Sequence, residues 1–141
     1  MLLYIIVCYR ILKMANTILG AFNNHFLEFL DDVLNVFPEN RDIQKARISL
    51  QTLCRMNPQL LITIWKTQIN TKYQNQIMSN DINFFLSKDY QTDINDNTIN
   101  NASTILSIIE RMRAPIMEMS ESNKQKSMKY LQNLTKLANM Y

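Results

Sequence analysis

Apolar residues recur every three or four positions along most of this chain, which is the period of an amphipathic α-helix. The pattern predicts a single compact bundle of about five main helices, and therefore an all-α fold. Pro38 should end the first helix, and the dipeptide at residues 57 and 58, Asn followed by Pro, should separate the second from the third. The predicted spans are 17–37, 42–56, 58–78, 103–113 and 120–141, with a short capped helix at 81–86 and a loop at 87–101.

Capping residues support several of these boundaries, because Asp and Ser side chains accept hydrogen bonds from the free N–H groups of a first helical turn. We expect Asp42 to cap the second helix, Ser103 or Thr104 the fourth, and Ser120 or Ser122 the last. Pro115 should interrupt the fourth helix. The inward positions predict the core, which consists of Phe22, Phe26, Leu30, Val33, Leu50, Leu53, Leu61, Trp65, Ile69, Phe85, Ile105, Ile109, Leu131 and Leu134.

Residues 1–13 differ from the rest, because residues 2–9 are all apolar or aromatic and are followed by Arg10 and Lys13. Eight helical residues span about 12 Å, whereas the hydrocarbon core of a bilayer is roughly 30 Å thick. A longer span would bury both charges, at about 2.5 to 3.5 kcal/mol for each near the middle. A secretory signal peptide fits poorly, because the charges follow the apolar run instead of preceding it.

Three interpretations of residues 1–13 remain open. They are an upstream extension of the reading frame, with Met14 as the natural start; a buried or peripheral helix; or a membrane-associated segment. We favour Met14, which leaves residues 14–141 as the helical domain. If Met1 is used instead, residues 2–12 should form a helix that protrudes or lies on a membrane surface, because the other helices already pair their apolar stripes.

The composition argues against most chemistry. One Gly and three Pro are too few for a hairpin-rich β-fold or a phosphate-binding loop, and two Cys with one His cannot assemble a zinc site. His25 lies in no nucleophile motif, and Asp31 and Asp32 are predicted to be ordinary exposed acids. The acidic residues 89–96 lack the glycine of a calcium loop. We therefore predict no enzyme activity, no cofactor and no metal.

Charge is divided unevenly along the chain, whose formal net charge is +3. Residues 14–96 hold seven basic and nine acidic residues, and residues 97–141 hold six basic and three acidic ones. The six basic residues are the candidates for contacting nucleic-acid phosphates. An ordinary solvated helix face has the same pattern, and we favour it. The candidates are Arg111, Arg113, Lys124, Lys126, Lys129 and Lys136.

Several short motifs resemble uncharacterised small proteins of nucleocytoplasmic large DNA viruses, of the algal-virus and mimivirus-like kind. They are FNNHF (22–26), FLDDV (29–33), VFP (36–38), NP (57–58), IWK (64–66), DINFF (81–85) before DY (89–90), and YLQNLTKL (130–137). The resemblance covers residues 14–141 and supports Met14 as the start. It implies a viral protein found in host-cell viral factories or in the virion, and it assigns no catalytic residue.

The function expected from these observations is that of a non-enzymatic viral structural or assembly protein that acts through its helix faces. Its partner would be a viral or host protein, or a second copy of the chain. One alternative is a nucleic-acid-associated protein that uses the basic last helix. The other is a small membrane-associated viral protein anchored by residues 1–13.

Overall fold

The computed structural model describes residues 1–87 and 100–141, and within these ranges the regular structure is entirely helical. The prediction of an all-α fold is therefore confirmed. Residues 60–78 form one continuous rod made of two α-helices with a π-helical segment between them. The elements are α1 (Leu2–Val36), α2 (Arg41–Met56), α3 (Leu60–Ile64), the π-helical segment (Trp65–Asn70), α4 (Thr71–Met78), α5 (Ile82–Ser87), α6 (Asn100–Met117) and α7 (Glu121–Met140).

One core joins these helices, and Trp65 lies within it. Trp65 is 2% exposed and meets the rings of Phe22 and Phe26 edge to face, at centroid distances of 6.0 and 5.6 Å. Eleven of the fourteen predicted core residues are buried. The other three, Leu53, Ile109 and Leu131, are partly buried and pack against the core.

The N-terminal apolar helix predicted for a chain that starts at Met1 is present, but the prediction of a separate helix that begins at Thr17 is wrong. The helix begins at Leu2, fifteen residues before Thr17, and passes through residues 13 and 14 without a break. No proline occurs before Pro38, and Gly20 alone is too weak a breaker to stop a helix. The end of α1 at Val36, two residues before Pro38, agrees with the prediction.

The capping predictions for the short helix and the last helix are confirmed, and those for the second and fourth helices are wrong. Asp81 Oδ1 accepts from the Phe84 N–H, and Ser120 Oγ accepts from the Asn123 N–H, so each caps the helix that follows. At α2 the cap is Asn40, whose Oδ1 accepts from the Ile43 N–H. Asp42 instead lies in the first turn of α2, where its negative charge interacts favourably with the helix dipole.

The helix α6 is longer than predicted at both ends. It starts at Asn100, so Ser103 and Thr104 lie inside the helix and do not cap it. Pro115 does not interrupt it, because proline removes only one hydrogen bond and the helix ends two residues later at Met117. The predicted loop and its acidic residues 89–96 lie largely outside the described residues.

The π-helical segment replaces part of the single α-helix predicted for residues 58–78. Along this rod one stripe of buried side chains has a spacing of four residues. It consists of Leu61, Trp65, Ile69, Tyr73 and Ile77. In a regular α-helix each step of four residues rotates the side chain by about 40°, so the stripe would turn away from the core. The i→i+5 hydrogen bonds of a π-helix take more residues per turn and correct this rotation.

Candidate functional site

The most unusual surface is the first half of α1, which extends beyond the bundle. Leu19 is the first buried residue of the helix, and we call residues 2–18 the projecting segment. At 1.5 Å per residue the segment is about 26 Å long. Its large apolar side chains are mostly 41% to 75% exposed, and the exposed set is Leu2, Leu3, Tyr4, Ile5, Ile6, Val7, Tyr9, Ile11, Leu12 and Met14.

The apolar stripe of the projecting segment is a direct continuation of the core face of α1. Tyr4, Ile11 and Ile18 are seven residues apart and therefore lie on one face of the helix. Phe22 and Phe29, which follow on this face, are buried in the bundle. The segment thus presents the same kind of surface as the core, but the described part of the chain does not cover it.

The segment also has a distinctive charge pattern. Arg10 and Lys13 are three residues apart, so they lie on the same side of the helix. The first acidic residue of the chain is Glu28, which lies inside the bundle part of α1. Every charged side chain of the projecting segment is therefore positive.

By length and composition α1 meets the requirements for a membrane-crossing helix. Its most apolar window of 18 residues is only 6% buried. Core helices of soluble proteins and signal sequences near an amino terminus meet the same requirements, but the core helices are mostly buried. The exposure of this window therefore separates α1 from an ordinary core helix.

The six basic candidates differ in exposure and pairing. Lys126, Lys129 and Lys136 are exposed and lie on the side of α7 opposite its buried residues, as their spacing predicts. Lys124 is half-buried. On α6, Arg111 is exposed, while Arg113 pairs with Glu110 one turn earlier.

Acidic groups adjoin the basic face of α7. Asp32 and Lys126 line the same shallow depression between α1 and α7. Asp32 also accepts a hydrogen bond from the Tyr130 hydroxyl, and Asp31 forms a two-point pair with Arg47 of α2. Asp32 is exposed and Asp31 half-exposed, as predicted, but they are not ordinary surface acids, because both carboxylates join α1 to neighbouring helices.

Tyr130 is the centre of the contact between α1 and α7. Its ring stacks on Phe29 with a centroid distance of 4.9 Å and lies 4.7 Å from the His25 ring. Burial raises the pKa of Tyr130 to about 12, and the hydrogen bond to Asp32 and the nearby carboxylates of Asp32 and Glu28 contribute further. The hydroxyl therefore remains protonated at pH values where a free tyrosine ionises.

This shift predicts a loss of stability at high pH. The folded pKa lies above the unfolded value of 10.0, so the contribution of Tyr130 should be complete below pH 10 and disappear as the pH rises through about 12. Urea denaturation across this range should show a decreasing free energy of unfolding. Tyr130→Phe should remove part of that dependence, and an unchanged dependence in the variant would contradict the assignment.

A small polar network lies beside the core and joins the π-helical segment to α7. Trp65 Nε1 donates to Thr135 Oγ1 at 3.3 Å, and Asn70 Nδ2 donates to Asn139 Oδ1 at 3.0 Å. Asn70 Nδ2 also lies 3.3 Å from the Thr135 carbonyl oxygen. These bonds satisfy the buried N–H donors of Trp65 and Asn70, which gives the network a structural role, while Asn70 Oδ1 is buried without a hydrogen-bond partner among the described residues.

An apolar cavity of about 60 Å³ lies next to this network. Apart from Arg113 and Ser127, its lining residues are apolar or aromatic. Arg113 pairs with Glu110, and Ser127 Oγ donates to the Asn123 carbonyl oxygen.

Within residues 1–87 and 100–141, no three His, Cys, Asp or Glu side chains are placed to hold a metal ion. The absence of a cofactor or metal site from the whole chain remains a prediction.

No protein-family model, curated protein or solved structure matches this chain.

Proposed function

We propose that the protein is a non-enzymatic interaction protein that docks through its projecting segment. The observation that carries the proposal is the exposure of ten large apolar side chains on one helix end. Scattered exposed apolar residues are normal on a protein surface, but a contiguous patch of this kind is typical of an interaction site.

The bundle does not need the projecting segment for its own packing. The buried part of α1 begins at Leu19, and its contacts with Trp65 and Tyr130 come from Phe22 and later residues. Ile18 packs against the core, so the removal of apolar side chains before residue 18 should leave the core unchanged. This separation of a packed body from an apolar extension supports a docking role for the extension.

The proposal predicts that polar substitutions in the segment abolish docking without unfolding the protein. The variant with Leu3→Gln, Ile6→Gln and Val7→Gln should melt at the same temperature as the parent chain. In cell extracts the parent chain should sediment with membranes or large assemblies, and the variant should remain in the supernatant. If both chains remain in the supernatant as monomers, the proposed function is wrong.

The narrower proposal is a structural or assembly role in a large DNA virus, at the viral factory or in the virion. Its support is the resemblance of residues 14–141 to small proteins of such viruses. Mass spectrometry of purified virions, compared with infected-cell extract, distinguishes a virion component from a factory protein. Intact-mass measurement in the same extract decides between Met1 and Met14; a chain that starts at Met14 would be compatible with the viral role but would overturn docking through the projecting segment.

The second candidate function is nucleic-acid association, which is favoured by the shared exposed face of Lys126, Lys129 and Lys136. If this face contacts phosphates, the DNA affinity should decrease steeply as salt increases. Lys129→Glu with Lys136→Glu should reduce the salt slope by about two. An affinity that is unchanged between low and moderate salt would exclude this function.

A further inference from the structure

We propose that the partner of the projecting segment is a lipid membrane with anionic headgroups, and that residues 2–9 enter one leaflet end-on. The proposal rests on the docking function proposed above and names the partner. Four features of the segment support it: its apolar circumference, its length, its charge, and the side of α1 on which the bundle lies.

The first feature is that residues 2–9 are apolar on all sides of the helix. Leu2 and Tyr9 lie opposite Tyr4 and Val7 around the helix axis, and all four side chains are exposed. A single partner helix would cover one side and leave the other in water. Acyl chains surround a helix on all sides, and a helix that is apolar all round is typical of such an environment.

The second feature is the match between the length of the apolar part and the thickness of a leaflet. Eight residues extend about 12 Å, and half of a bilayer's hydrocarbon core is roughly 15 Å. Arg10 and Lys13 follow directly and lie on one side of the helix. Their long side chains can reach headgroup phosphates while their stems remain on apolar surface.

The third feature is charge. The projecting segment carries Arg10 and Lys13 and no acidic residue, so a parallel pair of segments from two copies would bring like charges together. An anionic membrane surface attracts both residues. Charge complementarity therefore favours lipid over self-association.

The fourth feature is the position of the bundle, which determines how the helix meets the membrane. Tyr4, Ile11 and Ile18 share a face with Phe22 and Phe29, and the bundle packs on that face. If α1 lay flat with this stripe in the membrane, the bundle would have to enter the membrane as well. Entry with the Leu2 end first leaves the bundle outside, and this is the orientation that we propose.

The depth of insertion can be measured with tryptophans placed along the segment. Ile5→Trp and Thr17→Trp each add one indole to a chain whose own Trp65 is buried. With vesicles of phosphatidylcholine and phosphatidylserine, lipids brominated near the centre of the bilayer should quench the added indole of Ile5→Trp. They should leave Thr17→Trp unquenched. If Thr17→Trp is quenched to the same extent, the helix spans the bilayer, and insertion into one leaflet is wrong.

The role of the two charges is tested by co-sedimentation with the same vesicles. Arg10→Gln with Lys13→Gln should weaken binding to anionic vesicles by about 30-fold and change binding to pure phosphatidylcholine vesicles little. The matched control, Arg41→Gln with Lys45→Gln, removes two exposed charges from α2 and should bind as the parent chain does. Equal losses in both double variants would contradict headgroup contact by Arg10 and Lys13.

Failure of this inference can be told apart from failure of the docking function. Analytical ultracentrifugation without lipid should show a monomer at micromolar concentration. If the parent chain forms oligomers that the triple glutamine variant does not form, and ignores vesicles, the docking function stands and the lipid partner is wrong. If the parent and the triple variant are both monomeric and both ignore vesicles, the docking function and the lipid partner are both wrong.

Discussion

Replacing Trp65 with alanine is expected to lower the free energy of unfolding by about 3 to 5 kcal/mol. The indole is 2% exposed, meets Phe22 and Phe26 edge to face, and donates a hydrogen bond to Thr135. Its removal would leave a cavity where α1, the π-helical segment and α7 meet. Urea denaturation followed by far-ultraviolet circular dichroism measures the loss without depending on the fluorescence of Trp65.

Two controls separate packing from the hydrogen bond. Trp65→Phe keeps an aromatic ring but removes the N–H donor, so its cost should be smaller than that of Trp65→Ala. Ile48→Ala changes a side chain that is 63% exposed and should cost less than about 0.5 kcal/mol. Equal losses for Trp65→Ala and Ile48→Ala would contradict the central position of Trp65 in the core.

The repeat of apolar residues was sufficient to predict the helical fold and most of the core. Local signals were also sufficient at Asp81 and Ser120, since a cap depends on a side chain and an N–H group three residues later. Capping preference alone did not distinguish Asn40 from Asp42, because both residue types suit the position and they are two residues apart. Pro115 was misleading because proline destabilises a helix without always ending it. Here the helix continues past Pro115 for two residues, to Met117.

The candidate sites show what sequence alone could and could not predict. The spacing of seven between Lys129 and Lys136 predicted their shared face, and the spacing of three between Glu110 and Arg113 was a detectable sign of their pairing. The bond between Tyr130 and Asp32 joins residues 98 positions apart, and no local pattern indicates it. The exposure of the projecting segment was predictable, because the other helices pair their own apolar stripes and leave none for residues 2–12.

The π-helical segment did leave a signal in the sequence, in the spacing of four along the apolar stripe of Leu61, Trp65, Ile69, Tyr73 and Ile77. An α-helical stripe alternates spacings of three and four. A run of spacings of four implies one residue too many for a regular helix, and a single extra residue is what a π-helical turn accommodates. Lys66 is an exposed residue in this turn and can be regarded as the extra one.

Deleting Lys66 is therefore expected to convert the rod of residues 60–78 into a regular α-helix and to keep a cooperative unfolding transition. After the deletion, the spacing from Trp65 to the side chain of Ile69 becomes three, so the buried stripe fits a regular α-helix.

Deleting Lys45, an exposed residue of α2, is the matched control. It rotates Ile43, which is 0% exposed, about 100° away from the other core residues of α2. The control should lose at least as much free energy of unfolding as a variant with an emptied isoleucine site, which is about 2 to 5 kcal/mol. Its urea midpoint should be correspondingly lower. If the Lys66 deletion destabilises the bundle as much as the Lys45 deletion does, the π-helical turn does not correct the register of the core.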